Sequence, residues 1–300
     1  MNRLNKYSKL VDARLAALVP EVKKGSFVHG EIPWLNNDAM RYSLLAGGKR
    51  LRPAMLLAAA DMLGGDPAIA LEFACAVEMI HCYSLIHDDL PGMDDDTMRR
   101  GQPTNHMVFG VGQAILAGDG LLNLAYEVML AAASKGGEPA RLVSAMREIA
   151  AGAGARGMIG GQSMDLHFEQ SGDADADALR YIHLNKTARM FMHPLRAAAR
   201  ISGADEGALS ALTSYGEAFG LLFQATDDLL DVQGDADEIG KSIGKDAASG
   251  KLTCVKVYGI EGTRELIARA HARAISSVAS FGDRAVFFTE LADDMIDRTK

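Results

Sequence analysis

Aromatic residues make up only 6% of this 300-residue chain, although 48% of it is hydrophobic. Alanine, leucine and methionine therefore carry the apolar load. They favour helices, while the β-branched and aromatic residues that favour strands are scarce. Basic residues are outnumbered by acidic ones, 31 to 39, for a net charge of −8. A nucleic-acid partner needs a basic face to neutralise phosphates, so this balance argues against one. Only three cysteines occur, Cys75, Cys82 and Cys254. Their odd number and spacing fit neither a disulfide framework nor a metal-thiolate motif, and the first two sit in apolar helical sequence as expected buried thiols. The first residues, MNRLNKYSKLVDARL, lack the apolar core of a signal peptide. No unbroken run of about 18 apolar residues is present, so no membrane span is expected. A cytoplasmic location is the corresponding expectation.

What is present is helical periodicity. It predicts helices over 3–19, 38–46, 53–63, 67–88, 112–134, 139–154, 174–201, 205–230 and 262–280. Breaks fall at Gly64-Gly65, Gly101-Gln102-Pro103, Gly136-Gly137, Gly172, Gly203 and Gly234. The length allows one large domain or two small ones, and a single all-α domain over 1–300 is expected. The stretch from Gly234 to Lys251 is rich in Gly, Asp and Lys and reads as a long polar loop, a type that often serves as a lid.

The charge is concentrated. Five aspartates fall within nine positions, Asp88, Asp89, Asp94, Asp95 and Asp96. A charge run can be a solvated surface, but a second acidic group is harder to explain that way. Gln224, Asp227, Asp228 and Asp231 are spaced i, i+3, i+4, i+7, which makes one helical stripe flanked by apolar residues. Carboxylates so placed repel each other unless cations lie between them. Hard oxygen ligands suit Mg²⁺, Mn²⁺ or Ca²⁺ rather than zinc, and Mg²⁺ is typically completed by substrate phosphates. In the first group, Pro91 disfavours helix at Leu90, and Pro91-Gly92 makes a turn that can bring Asp94 back toward Asp88. Two such groups could flank a diphosphate. Fixed cations are also at hand: Lys49 and Arg52 in Gly47-Gly48-Lys49-Arg50-Leu51-Arg52-Pro53, Arg99 and Arg100 after the first acidic segment, and Lys186, Lys241 and Lys251. His81 lies two helical turns before Asp88 and shares its face. The spacing of a nucleoside-triphosphate P-loop is absent.

These residues together resemble the trans-prenyl diphosphate synthase family, specifically its short-chain bacterial farnesyl diphosphate synthase type. The resemblance spans roughly residues 40–260 and is carried by GGKRLRP (47–53), HCYSLIHDDLPGMDD followed by RRGQPT (81–104), GGQSMDL (160–166), Lys186-Thr187, FQATDDLLD (223–231) and the lysines at 241 and 251, in the family's order. It implies an all-α bundle around a deep central cavity, usually homodimeric, that condenses isopentenyl diphosphate head-to-tail with an allylic diphosphate such as the dimethylallyl or geranyl ester. It implies Mg²⁺ held by Asp88 and Asp94, with Asp89 in support, and by Asp227 with Asp228 and Asp231. Arg99, Lys186, Thr187, Gln224, Lys241 and Lys251 would meet the allylic substrate. Lys49, Arg52, His81 and Arg100 would meet isopentenyl diphosphate. Asp88, Asp89, Asp94, Arg99, Lys186, Asp227 and Lys241 would be catalytic, and closure of the 234–251 loop would exclude water.

Tyr83 and Ser84, five and four residues before Asp88, resemble the pattern that stops elongation at farnesyl diphosphate, C15. Two departures point toward the longer geranylgeranyl diphosphate, C20. Ala188 stands where the family has glycine, and the stretch Arg189–Leu195 is about one turn longer and contains Pro194. A class I terpene cyclase shares an acidic metal motif but needs no second diphosphate site, which Lys49, Arg52 and Arg100 would provide. A non-catalytic synthase subunit commonly loses its acidic motifs, and both stand here.

Overall fold

The computed structural model describes residues 2–171, 175–233 and 251–297. The described residues are almost entirely helical, and the only strands among them form a two-residue hairpin. The chain divides into two compact units, Met1–Asp61 with Gly65–Met146, and Met62–Gly64 with Arg147–Lys300.

In the first unit the elements are α1 (Asn2–Leu18), α2 (Trp34–Leu44), α3 (Leu51–Met62), α4 (Pro67–Asp88), the hairpin β1 (Met98–Arg99) and β2 (Gln102–Pro103), α5 (Asn105–Phe109) and α6 (Val111–Lys135). The helix α7 (Pro139–Ala153) contains the unit boundary. The organising element is α4. Asp66 caps it by accepting from the Ala68 and Ile69 amides at 2.8 and 3.2 Å, and Pro67 supplies a pre-set first turn. Its residues from Phe73 to Cys82 are buried apart from His81, so it is a core helix rather than an amphipathic one. The helix α1 lies on it through the Arg14–Glu72 pair, with bonds of 3.2 and 2.6 Å. Along α6 the buried face is mostly small (Ala114, Ala117, Gly118, Ala125), and this lets α4 come close. A Cβ at Gly118 would lie 2.2 Å from the His87 ring.

Both α4 and α6 are long and apolar enough to cross a membrane, with mean hydropathy 1.6 and 1.3 over their best windows. An unbroken-run criterion misses them because a few polar residues interrupt each helix. In α4, 72% of that window is buried inside the protein, as in the core helix of a globular unit, and it ends on Asp88.

The second unit contains α8 (Met158–Ser171), α9 (Ala176–Ile182), a π-helical segment (His183–Ala188), α10 (Arg189–Ser202), α11 (Glu206–Gln233), α12 (Cys254–Val278), a 3₁₀ segment (Ala279–Ala285) and α13 (Val286–Asp297). The scarce aromatics gather around α11. Tyr215 and Phe219 stack at 5.8 Å, Phe191 and Phe288 meet them edge-on at 5.1 and 5.0 Å, and the Tyr215 hydroxyl donates to the Phe288 carbonyl at 2.7 Å. In α7, Glu148 is clasped by Arg196 at 2.7 and 2.8 Å and by His193 at 3.1 Å. Burial pushes its carboxyl up, but the bonds from His193 and Arg196 outweigh that and hold it at about 2.

The expected helix 174–201 is three segments, with a π turn where an unbroken α-helix was expected. The helices α8 and α13 were not anticipated at all, and α12 starts eight residues before the expected 262. Its register passes through Gly259, whose φ of 70° is outside the helical range.

Candidate active site

In the first unit the anticipated turn is present. Leu90–Met93 closes with the Met93 amide donating to the Leu90 carbonyl at 2.9 Å, and Gly92 takes a φ of 92°. That is the geometry a Pro-Gly pair selects. The Asp94 amide then donates to the Asp88 carbonyl at 2.8 Å, which brings the two aspartates together. Asp88 and Asp94 are half-buried, whereas Asp89 is 3% exposed. Asp89 turns inward and receives Arg99 through Nε at 2.8 and 3.0 Å and through Nη2 at 2.7 Å. Burial pushes the Asp89 carboxyl up against the opposing pull of Arg99.

Arg99 and Arg100 ride on the hairpin, whose tip is Arg100-Gly101 with φ of 53° and 77°. Positive φ at both tip residues matches a type I′ turn. From that tip Arg100 Nη1 donates to the Gly47 carbonyl, and the place a Gly48 Cβ would occupy lies 2.9 Å from the Arg100 guanidinium. Lys49 is exposed, while Arg52 meets His81 Nε2 at 3.4 Å. Burial, then Arg52 and the neighbouring arginines, push the His81 imidazole well below its usual range, so it is neutral at pH 7. The first unit thus gathers Arg52, His81 and Arg100 near the Gly47–Arg50 turn, with Asp88, Asp89, Asp94 and Arg99 two turns along α4 and beyond. A pocket beside them is lined by Tyr42, Cys82, Asp89, Arg99, Arg100 and Asn105, among others.

Tyr83 is buried on α4, edge-on to the His87 ring at 5.7 Å, and its hydroxyl has no hydrogen-bond partner among the described residues. Burial, then Tyr126 and Asp88, push that hydroxyl up to about 12. The Ser84 hydroxyl donates back to the His81 carbonyl at 2.9 Å.

In the second unit a polar chain links the expected residues. Thr187 donates to Gln224 Oε1 at 2.9 Å, Gln224 donates to Asp228 Oδ1 at 2.9 Å, and the Cys254 amide donates to Asp228 Oδ2 at 2.7 Å. Asp228 is 2% exposed, and burial raises its carboxyl to about 6. The three carboxylates of the stripe therefore differ in their setting. Asp227 and Asp231 are half-buried, but Asp228 faces the interior and each of its oxygens already accepts a hydrogen bond. The i, i+4 spacing that suggested a metal stripe also allows Gln224 to bind Asp228 internally. Buried His183 completes its surroundings, with Nε2 3.6 Å from Asp228 Oδ2 and Nδ1 3.7 Å from Cys254 Sγ.

Lys186 and Thr187 lie on the π segment, a rare geometry that recurs at functional sites. Close packing surrounds it. A Cβ at Gly161 would lie 2.2 Å from the Lys186 amide nitrogen, and one at Gly220 would lie 2.3 Å from the Ala188 Cα. The methyl of Ala188, present where glycine was expected, is thus accommodated by a glycine on α11. Lys186 Nζ pairs with Asp165 at 2.6 Å. The motif that contains Gly161 and Asp165 assigns neither residue a role from sequence alone. The signal was available, because an acid and a lysine in separate motifs form a natural pair. Lys251 is half-buried just before α12. Lys241, and closure of the 234–251 loop apart from Lys251, lie outside the described residues.

Where these residues are carboxylates, they fit a divalent cation. The backbones of Asp88 and Asp94 are joined by a hydrogen bond, and Asp227 and Asp231 lie one turn apart on α11, so each pair offers hard oxygen donors from neighbouring positions.

A single family model, polyprenyl synthetase, matches residues 33–283 and so crosses the boundary between the two units. The chain belongs to the polyprenyl synthetase family of prenyltransferases. Among curated relatives it is 44% identical over 256 residues to geranylgeranyl pyrophosphate synthase 12, chloroplastic, of Arabidopsis thaliana, covering 85% of this chain and 71% of the relative. It is 44% identical over 245 residues to the chloroplastic geranylgeranyl pyrophosphate synthase of Catharanthus roseus, covering 82% and 68%. Among solved structures, an FPP/GFPP synthase from Zymomonas mobilis superposes with a TM-score of 0.85 at 30% identity, covering 98% of this chain and 97% of the other. A geranyltransferase from Legionella pneumophila gives 0.85 at 32%, covering 99% and 96%.

Proposed function

We propose that this chain joins isopentenyl diphosphate head-to-tail to dimethylallyl or geranyl diphosphate in the presence of Mg²⁺, with farnesyl diphosphate as product. The observation that carries this reading is the pairing, within the first unit, of an acidic turn and a separate cationic group. The Asp88–Asp94 turn with Arg99 suits one diphosphate, and Arg52, His81 and Arg100 with nearby Lys49 suit a second. Two diphosphate sites are what elongation requires and cyclisation does not. The presence of both acidic motifs likewise speaks against a non-catalytic subunit.

Bound Mg²⁺ would supply charge neutralisation for a departing diphosphate; Asp88 and Asp94 would hold it in the first unit, and Asp227 and Asp231 offer the same donors in the second. Arg99 would bind leaving oxygens while Asp89 holds its guanidinium in place. Within the second unit, Asp165 orients Lys186 and Gln224 orients Thr187, which suits both side chains to phosphate oxygens. As the allylic C–O bond breaks, its electron pair leaves with the diphosphate. The isopentenyl alkene attacks the carbocation, and the released diphosphate accepts the proton. Arg52 and Arg100, with a neutral His81 able to donate one hydrogen bond, would hold the isopentenyl diphosphate. The proposed homodimer would need an apolar face, and α6 leaves Val111, Ile115, Leu116 and Leu130 exposed.

Termination at C15 rests on buried Tyr83. A second reading, C20, is favoured by the relatives at 42–44% identity, which are named geranylgeranyl pyrophosphate synthases. Chromatography of dephosphorylated products from wild type and Tyr83→Ala decides between them. The C15 reading expects farnesol from wild type and longer alcohols from the variant. Geranylgeraniol from wild type, with no change in the variant, selects C20.

A further inference from the structure

The arginine between Lys49 and Arg52 has no place in the binding scheme above, yet it is the most enclosed cation of its motif. Arg50 is 3% exposed and takes a φ of 49°, which a side chain other than glycine rarely adopts. Its guanidinium reaches three elements at once. Nη1 donates to Glu78 on α4 at 2.6 Å, Nε to Asp12 on α1 at 2.8 Å, and Nη2 to the carbonyl of Leu44, the last residue of α2, at 2.8 Å. Its own carbonyl accepts the Ala54 amide at 3.0 Å and so begins α3.

The bond to Glu78 adjoins the cationic group. Glu78 lies one turn before His81 on α4, and Arg52 lies on the first turn of α3. The α3–α4 pair is therefore tied twice, by Arg50–Glu78 inside and by Arg52–His81 at 3.4 Å further out. The left-handed turn Gly47-Gly48 that leads into Arg50 presents the carbonyl and the Cβ-free space that receive Arg100.

We propose that Arg50 is a positioning residue for the isopentenyl diphosphate site: a buried three-way brace that sets Arg52, His81 and the seat of Arg100 in register without touching substrate. This inference rests on the function proposed above. Lysine keeps the charge opposite Glu78 but cannot reach three acceptors at fixed angles.

The test is steady-state kinetics of Arg50→Lys, with Glu78→Gln as a second variant that keeps the shape of the partner. Each is expected to raise KM for isopentenyl diphosphate by about tenfold while KM for geranyl diphosphate stays within about twofold. Asp12→Asn loosens only the α1 arm and is expected to lower the unfolding midpoint and leave both KM values unchanged. The proposal is overturned if both KM values rise together in the first two variants, if neither moves, or if Asp12→Asn reproduces the split. Wild-type protein that does not consume isopentenyl diphosphate would overturn the proposed function itself, a result distinct from an unselective Arg50→Lys.

Discussion

At the scale of single residues, the two acidic groups contain two kinds of aspartate. Asp88, Asp94, Asp227 and Asp231 are half-buried, while Asp89 and Asp228 are buried and already accept hydrogen bonds. Removing a carboxylate proposed to hold Mg²⁺ should cut turnover and spare the fold. Asp88→Ala and Asp227→Ala are expected to lower kcat by about a thousandfold or more, with an unchanged circular dichroism spectrum, because leaving-group stabilisation is a large share of such a rate. Near-normal turnover in either variant removes that residue from the metal site. The residue types and their spacing were legible in sequence, since five aspartates in nine positions need no structure to be noticed. Which aspartate faces inward was not. That depends on the Cys254 amide, which is contributed by a helix 26 residues further along. Arg50 was unreadable for a similar reason, because its partners come from α1, α2 and α4.

At the scale of elements, local signals located helices well where one residue set the boundary. Asp66-Pro67 opens α4, and Pro91 ends it on time. Helix α8 escaped notice because Gly160 and Gly161 open it and its apolar residues form no clear stripe. The π segment could not be read from sequence at all. Its repeat is fixed by neighbours, with Gly161 on one side and Gly220 on the other leaving room for the backbone around Lys186 and Ala188. Filling that room should carry a cost. Gly220→Ala places a Cβ against the Ala188 Cα and is expected to destabilise by about 1–3 kcal/mol, measured by denaturant unfolding. An unaltered midpoint would show that the packing around the π segment has room for the added methyl.

At the scale of the whole molecule, the all-α class followed from a composition rich in Ala, Leu and Met, and the family from six motifs in order. Product length did not follow in the same way. It depends on a depth measured across many side chains, and Tyr83 and Ala188 pull the reading in opposite directions. Under the proposed function, the acidic motifs and the Lys49–Arg100 cations serve two diphosphate substrates. The most direct measurement of that function is incubation of the purified chain with Mg²⁺ and geranyl diphosphate, with and without isopentenyl diphosphate, followed by product analysis. A prenyl diphosphate extended by five-carbon units is expected only when both substrates and Mg²⁺ are present. Release of a hydrocarbon or alcohol from geranyl diphosphate alone, or no elongation with both, would contradict that function.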